Sequence, residues 1–309
     1  MGWCFNVSFP FIRNSFSDFR DFYFQFLVLL VYNIHSWNPD LPLTTPPWVI
    51  CAAATTTGRE VIRMLNDETR RKLRVLNIGE FIEELEIQQQ DPQTLALPFD
   101  DRFQLLTDSV YQRKYNEKVR RLIKNAKFRL PKADIHDILY IDKRPLSRGI
   151  IADLASCRFV DDCRSIVFQG YPSSGKTFLG CAMAKEACRA QHKTRYIRLP
   201  DLLGEYAEKS LLPGGKNKVL NKYAAFKVLV LDEWLMPELS KADVEFLLEL
   251  TERRFDSTST IFCTLYKRED WVKRLRGGTY AESIVERFAH NTTWVETGDV
   301  NMRQYLSHA

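Results

Sequence analysis

The sequence predicts a three-layer α/β sandwich, in which a parallel sheet lies between helices, preceded by a small all-helical domain. Two observations predict this fold. From about residue 148 onward, short apolar segments alternate with segments of helical periodicity, a pattern typical of parallel strands with helices on both faces of the sheet. Residues 64–147 show only helical patterns. We therefore predict a helical domain over 64–147 and an α/β domain over 148–309.

Residues 1–63 differ in composition from everything that follows. They hold eight of the twenty phenylalanines, few charges and a proline-rich stretch at 39–47, without a sustained helical or strand period. We interpret them as a non-native or disordered extension. Either Met64 is the true start and the gene has been read too far upstream, or the extension is native and poorly ordered. The coding DNA around residues 59–62, or the intact mass of the native protein, distinguishes the two.

Three helices are predicted between residues 64 and 147. Asn66 or Asp67 can cap the first, and Gly79 separates it from a second helix over 80–90, which Asp91-Pro92 ends. A long third helix begins at 98–101. Its apolar face carries Tyr115, Val119, Leu122, Ile123 and Ala126.

The other faces of this long helix are strongly basic. Between residues 111 and 132, nine lysines and arginines stand against Glu117 alone. A solvated helix face is the plain alternative, but such faces normally interleave both signs of charge. The one-sided excess predicts contacts with the phosphates of duplex DNA. The predicted DNA-contacting residues are Arg113, Lys114, Lys118, Arg120, Arg121, Lys124 and Lys127.

Five segments of the α/β part are predicted strands. They are residues 165–169, 194–199, 227–231, 258–264 and 292–296. Helices fill the intervals between them. The helix that follows Pro237 has the clearest start, with Ser240 as its N-cap and Asp243 three residues later.

Residues 170–177 read Gly-Tyr-Pro-Ser-Ser-Gly-Lys-Thr, a complete G-x-x-x-x-G-K-[ST] phosphate-binding loop between a predicted strand and a predicted helix. In such a loop, backbone N–H groups surround the phosphates, the lysine neutralises the β and γ oxygens, and the hydroxyl ligates Mg²⁺. We predict binding of ATP or GTP with Mg²⁺. The predicted binding residues are Gly170, Tyr171, Pro172, Ser173, Ser174, Gly175, Lys176 and Thr177.

A second strand must supply carboxylates that hold the metal ion and prepare water. The apolar segment that begins at residue 227 leads directly into Asp232 and Glu233. Asp232 is suited to coordinating Mg²⁺ and Glu233 to polarising the attacking water as general base. Plain solvated acids at a strand end are the alternative.

Two further residues complete the predicted catalytic set. Thr264 ends a predicted strand, where its hydroxyl could orient the water that attacks the γ-phosphate. Arg287 lies on a short helix before the last strand, from which an arginine can stabilise transition-state charge in a neighbouring subunit. Helix-surface pairing with Glu282 or Glu286 is the alternative for Arg287.

Composition excludes several other classes. The apolar run at 22–31 is shorter than the ~20 residues that span a bilayer, and no small-residue cleavage site follows closely. The seven cysteines lack C-x-x-C pairs and zinc-spaced histidines, so we predict buried thiols. A net charge of +5 indicates a basic patch rather than a basic protein. We expect a cytoplasmic protein with no membrane partner and no metal other than nucleotide-bound Mg²⁺.

Taken in order, eight segments resemble the IstB-like ATP-binding proteins, which are AAA+ helper ATPases of insertion-sequence transposition related to helicase loaders. The resemblance runs from Met64 to about residue 300. The segments are Met64-Leu-Asn-Asp-Glu-Thr-Arg-Arg-Lys-Leu, the basic helix, Leu154-Ala-Ser-Cys157, the loop at 170–177, Arg195-Tyr-Ile-Arg-Leu-Pro200, Leu231-Asp-Glu-Trp234, Ser259-Thr-Ile261 and Glu286-Arg287.

The resemblance implies an AAA+ fold, ATP hydrolysis, a homo-oligomer on duplex DNA and regulation of the transposase of the same element. It also implies that Arg287 acts in trans and that residues 64–147 contact DNA and support self-assembly. The chain departs from the family where Tyr171, Ser173 and Ser174 vary the loop, and where Leu265 replaces a frequent Gln. A replicative helicase loader and a non-hydrolysing DNA-binding module remain as alternative functions.

Overall fold

The structure is a computed structural model that describes residues 65–289 and 291–307. The predictions made for residues 1–63 lie outside these ranges. One compact unit spans Met64–Ala309. Its first helices are α1 (Asp67–Val75), α2 (Glu80–Gln90), α3 (Pro92–Leu95) and α4 (Phe99–Ala126), followed by a 3₁₀ turn, Ile135–Asp137.

Strands and helices then alternate to the end of the described chain. The elements are α5 (Arg148–Ala155), α6 (Arg158–Asp161), β1 (Ser165–Gln169), α7 (Lys176–Arg189), β2 (Thr194–Arg198), α8 (Leu199–Ser210), α9 (Gly215–Ala224), β3 (Val228–Trp234), α10 (Lys241–Arg254), β4 (Ser259–Thr264), α11 (Arg268–Arg274), α12 (Gly278–Ala289), β5 (Thr292–Glu296) and α13 (Met302–Ser307).

The caps that the sequence offers decide where the first helices begin. The Asn66 side chain accepts a hydrogen bond from the Thr69 N–H at 2.7 Å and so caps α1. Asp91 ends α2 but also caps α3, whose first turn contains Pro92. A proline at the first helical position is tolerated, because the backbone N–H that it lacks would have no partner within the helix. Asp91-Pro92 is predicted to end α2, and it also begins one more turn of helix.

The long helix α4 attaches the helical segment to the α/β part. It packs against β2 and α7, with Leu122 and Ile123 against the core and Ala126 fully buried. Nearer its start, Leu106 and Val110 are also buried. The apolar face predicted for the carboxyl half of α4 is confirmed at Leu122, Ile123 and Ala126.

All five strands pair in parallel, in the order β2-β3-β4-β1-β5. The predicted parallel sheet is confirmed, and β1 and β5 have the bounds that the sequence indicated. β3 continues beyond its prediction to Trp234, through a register irregularity after Leu231. Since parallel strands end at one edge of the sheet, the loop after β1 and the acids of β3 lie at the same edge.

Side chains of successive strand residues enter different cores, which makes the fold three-layered. In β1, Ile166 and Phe168 join one buried cluster and Val167 joins the other. The first cluster lies beneath α7, and the second contains Trp234 and Trp271. Strands buried on both faces account for the nearly continuous apolar runs in the sequence.

Four cysteines are buried and free, as predicted: Cys157, Cys181, Cys188 and Cys263. Cys163 is free but only half-buried, so the prediction of a buried thiol is wrong there. Burial raises the pKa of the Cys181 and Cys188 thiols to about 11, so they stay protonated near neutral pH. Within the described ranges, no helix is both long and apolar enough to cross a membrane.

Candidate nucleotide-binding site

The phosphate-binding loop connects β1 to α7, and both of its glycines are required by their surroundings. A Cβ at Gly170 would lie 2.2 Å from the Thr297 hydroxyl oxygen. Gly175 has φ +93°, which L side chains rarely adopt, and a Cβ there would lie 2.8 Å from a guanidinium nitrogen of Arg144. The motif glycines thus permit both the turn and its close packing.

The charged group of Lys176 lies inside this loop. Its Nζ donates to the carbonyl oxygens of Gly170 at 2.9 Å and Tyr171 at 2.6 Å. Burial lowers the pKa of the Lys176 ammonium, because the charged form has lost hydration. A polyphosphate beside it would restore the lost stabilisation of that charge.

Residues outside the motif hold the loop in shape. The Ser174 carbonyl accepts from Arg144 Nη2 at 2.7 Å, and the Ser174 hydroxyl lies 2.6 Å from that of Thr297. Arg144 is buried and Thr297 is fully buried. Sequence reasoning missed both residues, since Arg144 lies 30 positions before its partner and carries no local signal.

Asp232 forms the centre of the site. One of its oxygens, Oδ2, accepts from the Thr177 hydroxyl at 2.9 Å and from the Tyr196 hydroxyl at 2.6 Å. Its other oxygen accepts from the Glu233 N–H at 2.9 Å. Burial first, and then the bond to Asp232, raise the pKa of Tyr196, which keeps the phenol protonated as a donor. Sequence reasoning missed Tyr196.

The residues present fit a magnesium ion bound with a nucleotide. Thr177 and Asp232, predicted as the metal-binding pair, lie in direct contact. A hydroxyl and a carboxylate supply the oxygen ligands that Mg²⁺ prefers, and Mg²⁺ usually completes its shell with phosphates and water. In the described part of the chain, no group of three or more His, Cys, Asp or Glu residues forms a separate metal site.

Glu233 follows Asp232 in an unusual backbone conformation. Its φ is +57°, a left-handed value that is uncommon for residues other than glycine and clusters at functional sites. Its carboxylate accepts from Arg129 Nη1 at 3.0 Å and lies 3.7 Å from Arg198 Nη1. Bonding to Tyr196 first, and also to Glu233, raises the pKa of Arg129. Sequence reasoning did not connect either arginine with the acids.

The hydroxyl of Thr264 joins two neighbouring segments of the fold. It donates to the Trp234 carbonyl at 3.0 Å and accepts from the Tyr266 N–H at 3.1 Å. Its carbonyl accepts from the N–H of Gly170, so the backbone of Thr264 borders the loop. The role of Thr264 in orienting water stays a prediction.

Arg287 lies far from the loop of its own chain. It lines a small pocket together with Ser165, at the amino end of β1, whereas the phosphate loop follows the carboxyl end of that strand. Its guanidinium donates to the Ser283 carbonyl at 2.9 Å and forms an ion pair with Glu252 of α10. The intrachain partner is therefore neither Glu282 nor Glu286. The role of Arg287 in trans stays a prediction.

The basic face of α4 is smaller than the sequence indicated. Arg113 forms ion pairs with Glu83 and Glu84 of α2, at 2.6 and 2.9 Å, and Lys114 lies 3.5 Å from Glu80. The Lys118 ammonium donates to Gln191 at 2.5 Å. The predicted cations that remain exposed and form neither an ion pair nor a side-chain hydrogen bond with any described residue are Arg120, Arg121, Lys124 and Lys127.

A parallel sheet with a phosphate loop after one strand and paired acids after another defines a P-loop nucleotide-binding protein. The model of the family "IstB-like ATP binding protein" matches residues 71–308. This chain belongs to that family, the ATP-binding proteins of insertion sequences.

Similar proteins come from several bacterial insertion sequences. An IS1162 protein of Pseudomonas fluorescens, described as ATP-binding, is 31% identical over 198 residues, which cover 64% of this chain and 85% of that protein. An insertion-sequence protein of Sinorhizobium fredii, also described as ATP-binding, is 28% identical over 200 residues, covering 65% and 80% of the two chains.

The solved structures that match this chain are more distant in sequence. The DnaC helicase loader is 20% identical with a TM-score of 0.45, and the match covers 53% of this chain and 96% of that one. AMPPCP-bound DnaA from Aquifex aeolicus is 18% identical with a TM-score of 0.45, covering 54% and 50% of the two chains.

Proposed function

We propose that this protein is a Mg²⁺-dependent ATPase that oligomerises on duplex DNA and regulates the transposase of its insertion sequence. One observation carries the hydrolytic part: a second carboxylate, Glu233, directly follows the Asp232 that contacts Thr177 beside the phosphate loop. A site that only bound nucleotide would not need this second acid.

Each residue of the site has a defined task in ATP hydrolysis. The loop N–H groups and Lys176 bind the phosphates, while Thr177 and Asp232 would hold Mg²⁺, whose charge neutralises the β and γ oxygens. Glu233 accepts a proton from the attacking water as the oxygen of that water bonds to the γ-phosphorus. The bond from that phosphorus to the bridging oxygen breaks, and ADP and phosphate leave.

Exposed cations of α4 support the DNA-binding part of the proposal. Arg120, Arg121, Lys124 and Lys127 have no ion-pair partner among the described residues, so their charges are available to backbone phosphates. The insertion-sequence names of the relatives support a role in transposition. We propose Arg287 as the residue contributed to a neighbouring subunit, because it lies at the opposite end of β1 from its own loop.

ATP turnover with and without duplex DNA, measured together with particle mass by light scattering, tests the proposed function. We expect DNA to increase turnover and ATP with DNA to increase particle mass. Turnover that is absent in both conditions, with ATP still bound, would leave a non-hydrolysing DNA-binding module instead.

A further inference from the structure

A cavity of about 380 Å³ lies between the carboxyl end of α4 and β2. Four of its lining residues are cations, Lys127, Arg129, Arg195 and Arg198, and one is an acid, Asp201. Both Asp201 oxygens already accept from Arg198, at 2.6 and 2.8 Å. The wall of the cavity therefore carries an excess of positive charge, which suits an anion.

Lys127 connects this cavity to the exposed basic face of α4. It directly follows the helix, is exposed, and forms no ion pair within the described ranges. Arg120 and Lys124 precede it at spacings that share one helix face. Arg195 donates to the Asn125 carbonyl at 3.1 Å, which offsets the partial negative charge of the helix end. A polyanion bound along α4 can thus continue into the cavity.

Arg129 borders both the cavity and the catalytic acid. Its guanidinium is 3.0 Å from Glu233, while the side chain is still 46% exposed. Arg198, which also lines the cavity, lies 3.7 Å from the same carboxylate. An anion in the cavity and Glu233 therefore compete for the same guanidinium groups, and the planar fork of arginine pairs equally well with phosphate and carboxylate.

We propose that this cavity binds a backbone phosphate of duplex DNA and that Arg129 transfers from Glu233 to that phosphate when DNA is bound. Glu233 is then free to accept the proton of the attacking water. DNA binding on α4 thereby raises ATP hydrolysis through one positioning residue, Arg129. The inference rests on the proposed function, in which Glu233 is the base and α4 contacts DNA.

Turnover of the Arg129→Gln variant tests the coupling. We expect its DNA-free turnover to rise about 5-fold or more, the low end of ordinary allosteric couplings, because Glu233 has lost the nearer of its two arginine partners. Added duplex should then increase turnover by less than about 2-fold. Lys132→Gln is the matched control, since Lys132 is exposed but does not line the cavity, and it should keep both wild-type rates. An Arg129→Gln variant with wild-type rates, or with lower basal turnover and full stimulation, would overturn the proposal.

DNA affinity of the Lys127→Gln variant tests the cavity itself. Fluorescence anisotropy with a labelled duplex should show weaker binding, with a slope against salt concentration reduced by about 1, the value of one lost phosphate contact. An unchanged slope would mean that no DNA phosphate binds in the cavity. Inorganic phosphate, compared with NaCl at equal ionic strength, should not stimulate turnover; stimulation would identify free phosphate as the ligand and overturn the DNA assignment.

Failure of the proposed function has a different outcome. If Glu233→Gln hydrolyses ATP at the wild-type rate, or if the wild-type protein does not bind duplex at all, the proposed function fails. If wild-type turnover responds to DNA and Arg129→Gln responds equally, only the inference about Arg129 fails.

Discussion

Glu233 combines a left-handed backbone with two arginine neighbours, and both features set its chemistry. Arg129 and Arg198 occupy the carboxylate that the proposed mechanism needs as proton acceptor, so these guanidinium groups must move away before Glu233 can act. The left-handed conformation costs free energy that the surrounding sheet must offset. Both properties favour a functional role for Glu233 over a stabilising one.

Replacing this carboxylate tests its role as base. We expect Glu233→Gln to lower the turnover number about 100-fold or more, the ordinary contribution of a general base, while ATP affinity stays close to wild type. Lys176→Ala should instead lose ATP binding, since it removes the cation of the loop. Two measurements on both variants separate these effects: the rate of ATP turnover and the equilibrium binding of a fluorescent ATP analogue.

Glu238→Gln is the matched control for that experiment. Glu238 is exposed and lies in the same connection after β3, outside the site, so its loss should leave turnover and ATP affinity unchanged. Equal turnover in Glu233→Gln and Glu238→Gln would remove Glu233 as the base.

At the scale of elements, ion pairs between α2 and α4 divide the basic residues into two groups. Arg113 and Lys114 hold the two helices together, whereas Arg120 and Arg121 face solvent. The sequence shows nine cations against Glu117 alone in this stretch. It does not show that Arg113 is paired, because the partners of Arg113 lie about 30 positions away on another helix. The exposed group is the one available to DNA.

Charge reversal on α4 distinguishes these groups. Arg120→Glu with Arg121→Glu should weaken duplex binding at every sequence and lower its salt dependence by about 1 per lost phosphate contact. Arg113→Gln is the control: it should lower the free energy of unfolding but retain the wild-type salt slope. Anisotropy titrations at several NaCl concentrations measure both. An unchanged slope in the double variant would mean that this face of α4 is solvated and does not contact DNA.

The 3₁₀ turn after α4 is fixed to α7 by Asp134. Its carboxylate accepts from Arg189 at 2.6 Å and Lys185 at 3.2 Å. These partners, Arg189 first, hold the pKa of Asp134 well below its ordinary value despite its partial burial. Because the pKa is lower in the folded state, the pairing stabilises the fold above the unfolded pKa and is lost as pH falls toward the folded pKa.

Asp134→Asn should therefore lower the free energy of unfolding by about 1.5–3 kcal/mol at pH 7, the usual range for hydrogen bonds to charged groups. The difference from wild type should stay constant down to about pH 5 and shrink below about pH 4, where the unfolded carboxyl protonates. Urea denaturation at several pH values measures this. Asp137→Asn, at an exposed neighbour, should show no such difference; a pH-independent loss in Asp134→Asn would point to lost packing.

At the scale of the whole molecule, the residues proposed for hydrolysis do not all lie at one place in the chain. The loop, Asp232 and Glu233 meet at the carboxyl edge of the sheet, while Arg287 lies at the amino end of β1. A head-to-tail assembly can bring Arg287 of one subunit to the phosphate loop of the next. The assembly would then complete the site.

Mixing two inactive variants tests this arrangement. Arg287→Ala and Glu233→Gln should each stop turnover, but an equal mixture should recover about a quarter of wild-type turnover, because one interface in four has both intact residues. Arg287→Ala breaks a partly exposed ion pair with Glu252, so its stability should change by less than about 1 kcal/mol. No recovery, in a mixture shown by labelled subunits to co-assemble, would contradict a shared site.

The sequence by itself determined the fold class and the centre of the site. The bounds of β1 and β5, the helix caps and the phosphate loop depend on neighbours within a few positions, so local patterns such as residues 165–177 predict them directly. The acids Asp232 and Glu233 were predictable because a buried apolar strand leads straight into them.

Only the tertiary structure decided which charges meet. Arg129 and Glu233 are 104 positions apart, Tyr196 reaches Asp232 across 36, and Arg144 supports the loop across 30. No periodicity connects such residues, because their contact depends on how helices and strands pack and on which cations remain unpaired afterwards. The physical reason is that secondary structure follows from local geometry, whereas the partners of a charge follow from the whole fold.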